Sequence, residues 1–141
     1  MSADEPARLR PHHLICLRLF RGQGYSTAFV ENLEETLARA RSAGAVVVEG
    51  VDDVCVACPG LADGRCAWAP GSDEEVRRLD ALALALLGRA PLDAIDWAAI
   101  EADVLEALPD WDAGACPSCE WRAVCSGTIP RALAAGRFDI R

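Results

Sequence analysis

The stretch STAFVENLEETLARARSAGAVVV, residues 26–48, sets the architecture. Ser26 stands where a helix N-cap belongs, its hydroxyl suited to accept a backbone N–H of the first turn. Phe29, Val30, Leu33 and Leu37 follow at helical spacing, and Gly44 closes the helix as a C′ residue. Ala45-Val46-Val47-Val48 is a short β-branched run, read as a strand that leads through Gly50 into a group of cysteines. Working outward, Pro11 opens an earlier helix carrying Leu14, Ile15, Leu17, Leu19 and Phe20 and ending near Gly22. Downstream, Ser72 and Glu75 form a capping-box pattern. The third helix starts there, with Val76, Leu79, Leu82, Ala83, Leu86 and Leu87 on its buried side and Gly88 at its end. Asp96 caps a fourth helix through Trp97, Ile100, Val104, Leu105 and Leu108, stopped by Pro109. Pro130 begins a last short helix through Leu133, closed by Gly136. The expected fold is mainly α. It is one small helical domain over residues 1–141, with one or two short strands and cysteine-rich metal-binding loops between helices.

Composition supports a single folded domain. The chain has 141 residues, 14 Lys+Arg against 22 Asp+Glu, and a net charge of −8. At 52% hydrophobic it is too apolar for a disordered chain, yet its longest apolar run, Ala81 to Leu87, is far too short to span a bilayer. Every basic residue is Arg. Schiff-base chemistry, a Walker P-loop and the lysine-dependent site of restriction-type nucleases are therefore excluded. A pI near 4.7 argues against a broad electrostatic grip on nucleic acid. The N-terminus carries acids where a secretory signal would be basic, and the following apolar stretch is broken by Arg18 and Arg21. No signal or transit peptide is read, and a cytoplasmic location is expected.

A cytoplasmic chain keeps its thiols reduced, so the seven cysteines do not read as a disulfide framework. Six of them form two groups of three: Cys55-x2-Cys58-x7-Cys66 and Cys116-x2-Cys119-x5-Cys125. A C-x2-C pair in a turn presents two thiolates to one centre, and Pro59 and Pro117 stiffen the two turns. These six are the candidate metal ligands. A structural zinc site wants four tetrahedral ligands, which Cys55, Cys58, Cys116 and Cys119 would supply while leaving the other cysteines idle. A third cysteine after each pair is more readily explained by an iron–sulfur cluster of the 4Fe–4S type, whose iron corners need ligands at longer spacing. Cys16 is the candidate additional ligand, weighed against a plain core thiol. His12 shares its helix face, and His12 and His13 are weighed as ligands or acid–base groups against a capped helix start.

The segment from Cys116 to Cys125 is similar to the C-x2-C-x5-C stretch of iron–sulfur staple nucleases. The likeness covers the cluster segment alone, since the nuclease site needs a lysine. Over nearly its whole length the chain resembles the domain of unknown function 1284 family. The residues that carry this are Arg10-Pro11-His12-His13-Leu14-Ile15-Cys16-Leu17, Phe20-Arg21-Gly22-Gln23-Gly24-Tyr25-Ser26, Phe29-Val30-Glu31-Asn32, the Cys55/Cys58-Pro59/Cys66 loop and the Cys116/Cys119/Trp121/Cys125 segment. The resemblance implies a small bacterial or archaeal protein that binds iron–sulfur clusters, and it implies no reaction.

Residues 21–26 are read as a glycine turn and N-cap in preference to an anion cradle. Trp68 and Trp121, beside cysteines, are candidates to shield a cluster. Asp52, Asp53, Asp73, Glu74 and Glu75 are read as solvated turns and an acidic helix start. The functional expectation is electron transfer or redox sensing with a redox partner protein, without membrane or nucleic acid. The alternatives are a zinc-stabilised helical interaction module, an enzyme with an open iron site, and a metal-free thiol enzyme. Whether the chain is an enzyme stays open at this point, and nothing in the sequence bears on oligomeric state.

Overall fold

The computed structural model describes residues 5–20, 22–119, 122–125 and 127–138. Its elements run β1 (Ala7–Leu9), α1 (His13–Cys16), α2 (Thr27–Ala43), β2 (Ala45–Val47), β3 (Leu61–Ala62), β4 (Arg65–Cys66), α3 (Ser72–Leu87), β5 (Ala94–Ile95), α4 (Glu101–Gly114), α5 (Arg122–Cys125) and α6 (Thr128–Ala135). Tighter 3-10 turns occupy Leu17–Leu19, Cys55–Ala57 and Cys116–Ser118. The fold is mainly helical. In place of one or two short strands, five are present among the described residues.

The residues 26–48 fold as their sequence predicts. Ser26 accepts the Phe29 N–H at 3.1 Å and caps α2. Phe29, Leu33, Leu37 and Ala40 line its buried face, each leucine worth about 2 kcal/mol of burial. Gly44 ends the helix at φ 82°, and a side chain there would run into the Ile95 carbonyl. β2 then pairs in parallel with β1, Ala7 opposite Ala45 and Leu9 opposite Val47, and antiparallel with β5. Ala7, Leu9, Ala45, Val47 and Ile95 all turn into the core beneath the helices.

Helix limits differ from the sequence reading in several places. α4 starts at Glu101, after a turn in which Asp96 Oδ1 accepts the Ala99 N–H, and α6 starts at Thr128 and not at Pro130. The first helix is α-helical only to Cys16 and tightens into the Leu17–Leu19 turn, with Leu14, Ile15, Leu17 and Leu19 all buried. Ser72 lies inside α3, whose N-cap is Gly71 at φ 84°. The Ser72 hydroxyl accepts the Ala69 N–H instead, and Glu75 pairs with Arg78, so no capping box forms. Pro109 does not stop α4, which continues to Gly114. A proline inside a helix removes a backbone bond at a cost of roughly 3 kcal/mol. Leu108 and Trp111, on either side of it and almost fully buried, hold the helix through that cost.

The acids of residues 52–53 were read as solvated; both are buried, and so is Asp73. Each completes a hydrogen-bond set that water would otherwise satisfy. The Arg8 and Arg10 N–H groups point off the outer edge of β1. Asp53 Oδ2 accepts the first at 2.8 Å and Asp52 Oδ2 the second at 2.8 Å. Asp52 Oδ1 also accepts the Val54 and Cys55 N–H groups, and Asp52 Oδ2 the His13 Nδ1 at 2.6 Å. Asp53 pairs with buried Arg39 of α2, at 3.0 Å. Asp73 accepts the Cys66 N–H and pairs with Arg77. The outer edge of β1 is thereby closed by the Asp52–Asp53 segment, through both side chains and the Asp53 N–H, which donates to the Arg8 carbonyl at 3.0 Å.

Burial pushes the Asp52 carboxyl up, but His13 and the N–H groups of Arg10 and Cys55 outweigh that and hold it below the ordinary 3.8. A carboxyl depressed in the native state stabilises the fold above its ordinary value, and that contribution is lost as pH falls through the native value. The urea midpoint of the wild type is expected to stay level near neutrality and to drop steeply below about pH 4. Asp52→Asn leaves buried N–H groups facing an amide and is expected to cost about 3 kcal/mol near pH 7 in urea melts, with a shallower acid limb.

Candidate metal-binding site

Both C-x2-C pairs build the same local turn. Cys58 N–H donates to the Cys55 carbonyl at 2.9 Å, and Cys119 N–H to the Cys116 carbonyl at 3.1 Å. Each 3-10 turn ends on the second cysteine in extended backbone, at φ −79°, ψ 128° for Cys58 and φ −81°, ψ 131° for Cys119. Two loops far apart in sequence thus present a cysteine pair on one backbone form.

Their surroundings differ. The Cys116–Ser118 turn follows α4 directly and packs against α4 and α5; α1 packs on α4 as well. This arrangement brings Cys16, from the start of the chain, within electrostatic reach of Cys119, Cys125 and Cys116. Burial, then those neighbouring sulfurs, push the Cys16 thiol well above its usual range, while a hydrogen bond with the buried Trp111 indole favours the thiolate. Cys116 is buried, and its thiol is pushed up to about 12, first by burial and then by Asp112, with which it hydrogen-bonds.

The first group lies on another face. The Cys55–Ala57 turn packs against α2 and β3. Beyond it, β3 and β4 form a hairpin in which Leu61 pairs with Cys66, returning the third cysteine toward Cys58. Asp63 and Gly64, at φ 51° and 70°, make the two-residue turn. Trp68 packs its indole over Gly60 and 4.5 Å from Tyr25, and its backbone N–H bonds the Cys66 sulfur; it remains 45% exposed. Burial pushes the Cys55 thiol up to about 12, with the Asp52 carboxylate adding to it, and raises Cys66 as well. Arg10 Nη1 reaches the Cys55 sulfur at 3.7 Å.

His12 and His13, ahead of both groups in sequence, stand together with ring centroids 4.2 Å apart. His12 Nδ1 meets Asp80 Oδ1 at 2.6 Å and His13 Nδ1 meets Asp52 Oδ2 at 2.6 Å. Burial, then His13 beside it, lowers His12 to about 4, so near neutrality its imidazole is uncharged and donates from Nδ1. Among the described residues no group of three or more His, Cys, Asp or Glu side chains is placed to hold a single metal ion. The zinc set of Cys55, Cys58, Cys116 and Cys119 is held on two different sets of elements.

Trp111, Asp112, Asp80 and Arg10 are sulfur or imidazole partners that the sequence reading did not single out. The first two were hidden by ending α4 at Pro109. Asp112 lies four residues before Cys116, a spacing a longer helix would have shown. At residues 22–26 the turn and N-cap reading holds, and Glu31 and Glu34 line the groove beside it, a poor setting for an anion. Arg21 and Trp121 lie outside the described residues. No described helix is long and apolar enough to cross a membrane.

Searches of the curated proteins and of the solved structures found no match. A family model does match, over residues 24–125, a span that takes in both cysteine groups. The chain belongs to the family described as Protein of unknown function (DUF1284).

Proposed function

We propose that the chain is an iron–sulfur protein that works in electron transfer or redox sensing, with a redox partner protein. One observation carries this reading: Cys16 comes within electrostatic reach of Cys116, Cys119 and Cys125, offering a fourth sulfur from a distant segment to a three-cysteine loop. Four cysteines are the complete ligand set of a 4Fe–4S cluster. Sulfurs around one zinc stand about 3.8 Å apart, for Zn–S near 2.3 Å in a tetrahedron. A cluster holds its ligands on separate irons and so further apart.

The donor chemistry fits such a group. The thiols are soft ligands in a largely apolar setting, with the Trp111 indole directed at the Cys16 sulfur and the Trp68 amide at the Cys66 sulfur. Cys16, Cys116, Cys119 and Cys125 would hold one cluster; Cys55, Cys58 and Cys66 would hold a second centre with three thiolates. When bound, a cluster supplies one-electron chemistry. The burial-raised thiols of Cys16, Cys55, Cys66 and Cys116 argue against those four as the nucleophile of a metal-free thiol enzyme, because an activated nucleophile needs a lowered value.

Anaerobic loading with ferrous iron and sulfide is expected to give a brown protein with matched iron and acid-labile sulfide. Cys16→Ser and Cys119→Ser are expected to remove the same spectroscopic signal, and Cys58→Ser a different one. A colourless protein isolated with stoichiometric zinc would overturn the reading in favour of the zinc-stabilised interaction module. Full iron in Cys119→Ser would overturn the ligand set.

A further inference from the structure

We propose that Arg10 is a positioning residue for the metal centre of the first cysteine group, holding a fixed N–H on the Cys55 sulfur. The inference rests on the iron–sulfur reading above and adds a residue outside the ligand set.

Arg10 is held at both ends. Its backbone N–H is bound by Asp52 at 2.8 Å. Its side chain, 3% exposed, donates Nε to Asp80 Oδ2 at 2.9 Å, and Nη2 lies 2.8 Å from the same oxygen as a charge pair without a hydrogen bond of its own. The guanidinium is planar, so holding Nε and Nη2 against one oxygen sets the direction of the third nitrogen. That third nitrogen, Nη1, is the one 3.7 Å from Cys55 Sγ. Asp80 is fixed in turn, because its other oxygen accepts the His12 Nδ1 and backbone N–H groups. The charge therefore cannot swing away from the sulfur without breaking the Asp80 pair.

A hydrogen bond from a cation to a ligating thiolate strengthens as negative charge on the centre grows, so it favours the reduced state and raises the reduction potential. The other group has a different arrangement. Cys16 meets the neutral Trp111 indole, and Cys116 meets the Asp112 carboxylate. Asp52 also faces Cys55, but it is unchanged in the variants below, of which Arg10→Lys changes Arg10 alone.

The test uses the full chain loaded anaerobically with ferrous iron and sulfide, in wild type, in Arg10→Lys, and in Arg10→Met combined with Asp80→Asn. Lysine keeps the charge for Asp80 but has no fork to reach Cys55 as well. The double variant removes the buried pair together and leaves an amide oxygen for His12, so no lone charge is stranded. Circular dichroism verifies folding, and either folded variant decides. The expected result is unchanged iron per chain with the midpoint of one signal, the one lost in Cys58→Ser, lowered at least tenfold in reduction equilibrium, about 59 mV for one electron. The signal lost in Cys119→Ser is expected to stay put. Unmoved midpoints with full iron would overturn the role of Arg10 alone. A wild type that takes up no iron and sulfide would overturn the iron–sulfur reading and this inference with it.

Discussion

The structure depends on the Asp52 carboxylate. Fully enclosed, it accepts N–H groups from Arg10, just past β1, and from the Cys55 turn, together with the His13 ring. Two segments far apart in sequence, residues 10–13 and 52–55, thereby share one negative centre. Asp53 extends the arrangement to α2 through Arg39, while Asn32 of the same helix donates to the Asp53 carbonyl at 2.7 Å. The cost of burying two carboxylates is offset because Asp52 has two donors on each oxygen and Asp53 has two on Oδ2, one of them cationic Arg39. The candidate site inherits its geometry from this network, since the residues that place Cys55 also fix α1.

α1 matters out of proportion to its length. Its first residue is anchored by Asp52, and its last is Cys16, beside the second cysteine group. A single turn of helix thus connects the neighbourhoods of both groups. Trp111, in the middle of α4, supports the far end by packing almost fully buried and engaging the Cys16 thiol. The continuation of α4 past Pro109 is what makes this possible, because the helix must reach Gly114 before the Cys116 turn can begin.

Helices with local punctuation were legible in the sequence. Ser26 and Gly44 bracket α2, Gly88 and Gly136 end α3 and α6 in left-handed backbone, and the apolar spacing between them is unambiguous. The two cysteine groups were equally plain as spacing. What escaped the reading depends on partners far along the chain. Asp52 and Asp53 look like an ordinary acidic turn until β1 is placed beside them, and β1 at three residues is too short to show a period. Asp63-Gly64 is a hairpin signal that could have been read, and with it the return of Cys66. Pro109 misled because a proline rule is local, whereas the burial of Leu108 and Trp111 that overrides it is not.

The two cysteine turns share a backbone but not its cause. In the first, Asp52 ties the amides of Val54, Cys55 and Val56, the last through its own carbonyl at 3.2 Å, so the loop is shaped by its surroundings. In the second, Pro117 occupies the matching position and offers no amide to tie; its ring restrains the turn from within. The first loop therefore loses its form when the nearby scaffold loosens, whereas the second carries its curvature in its own covalent structure and outlasts such loosening.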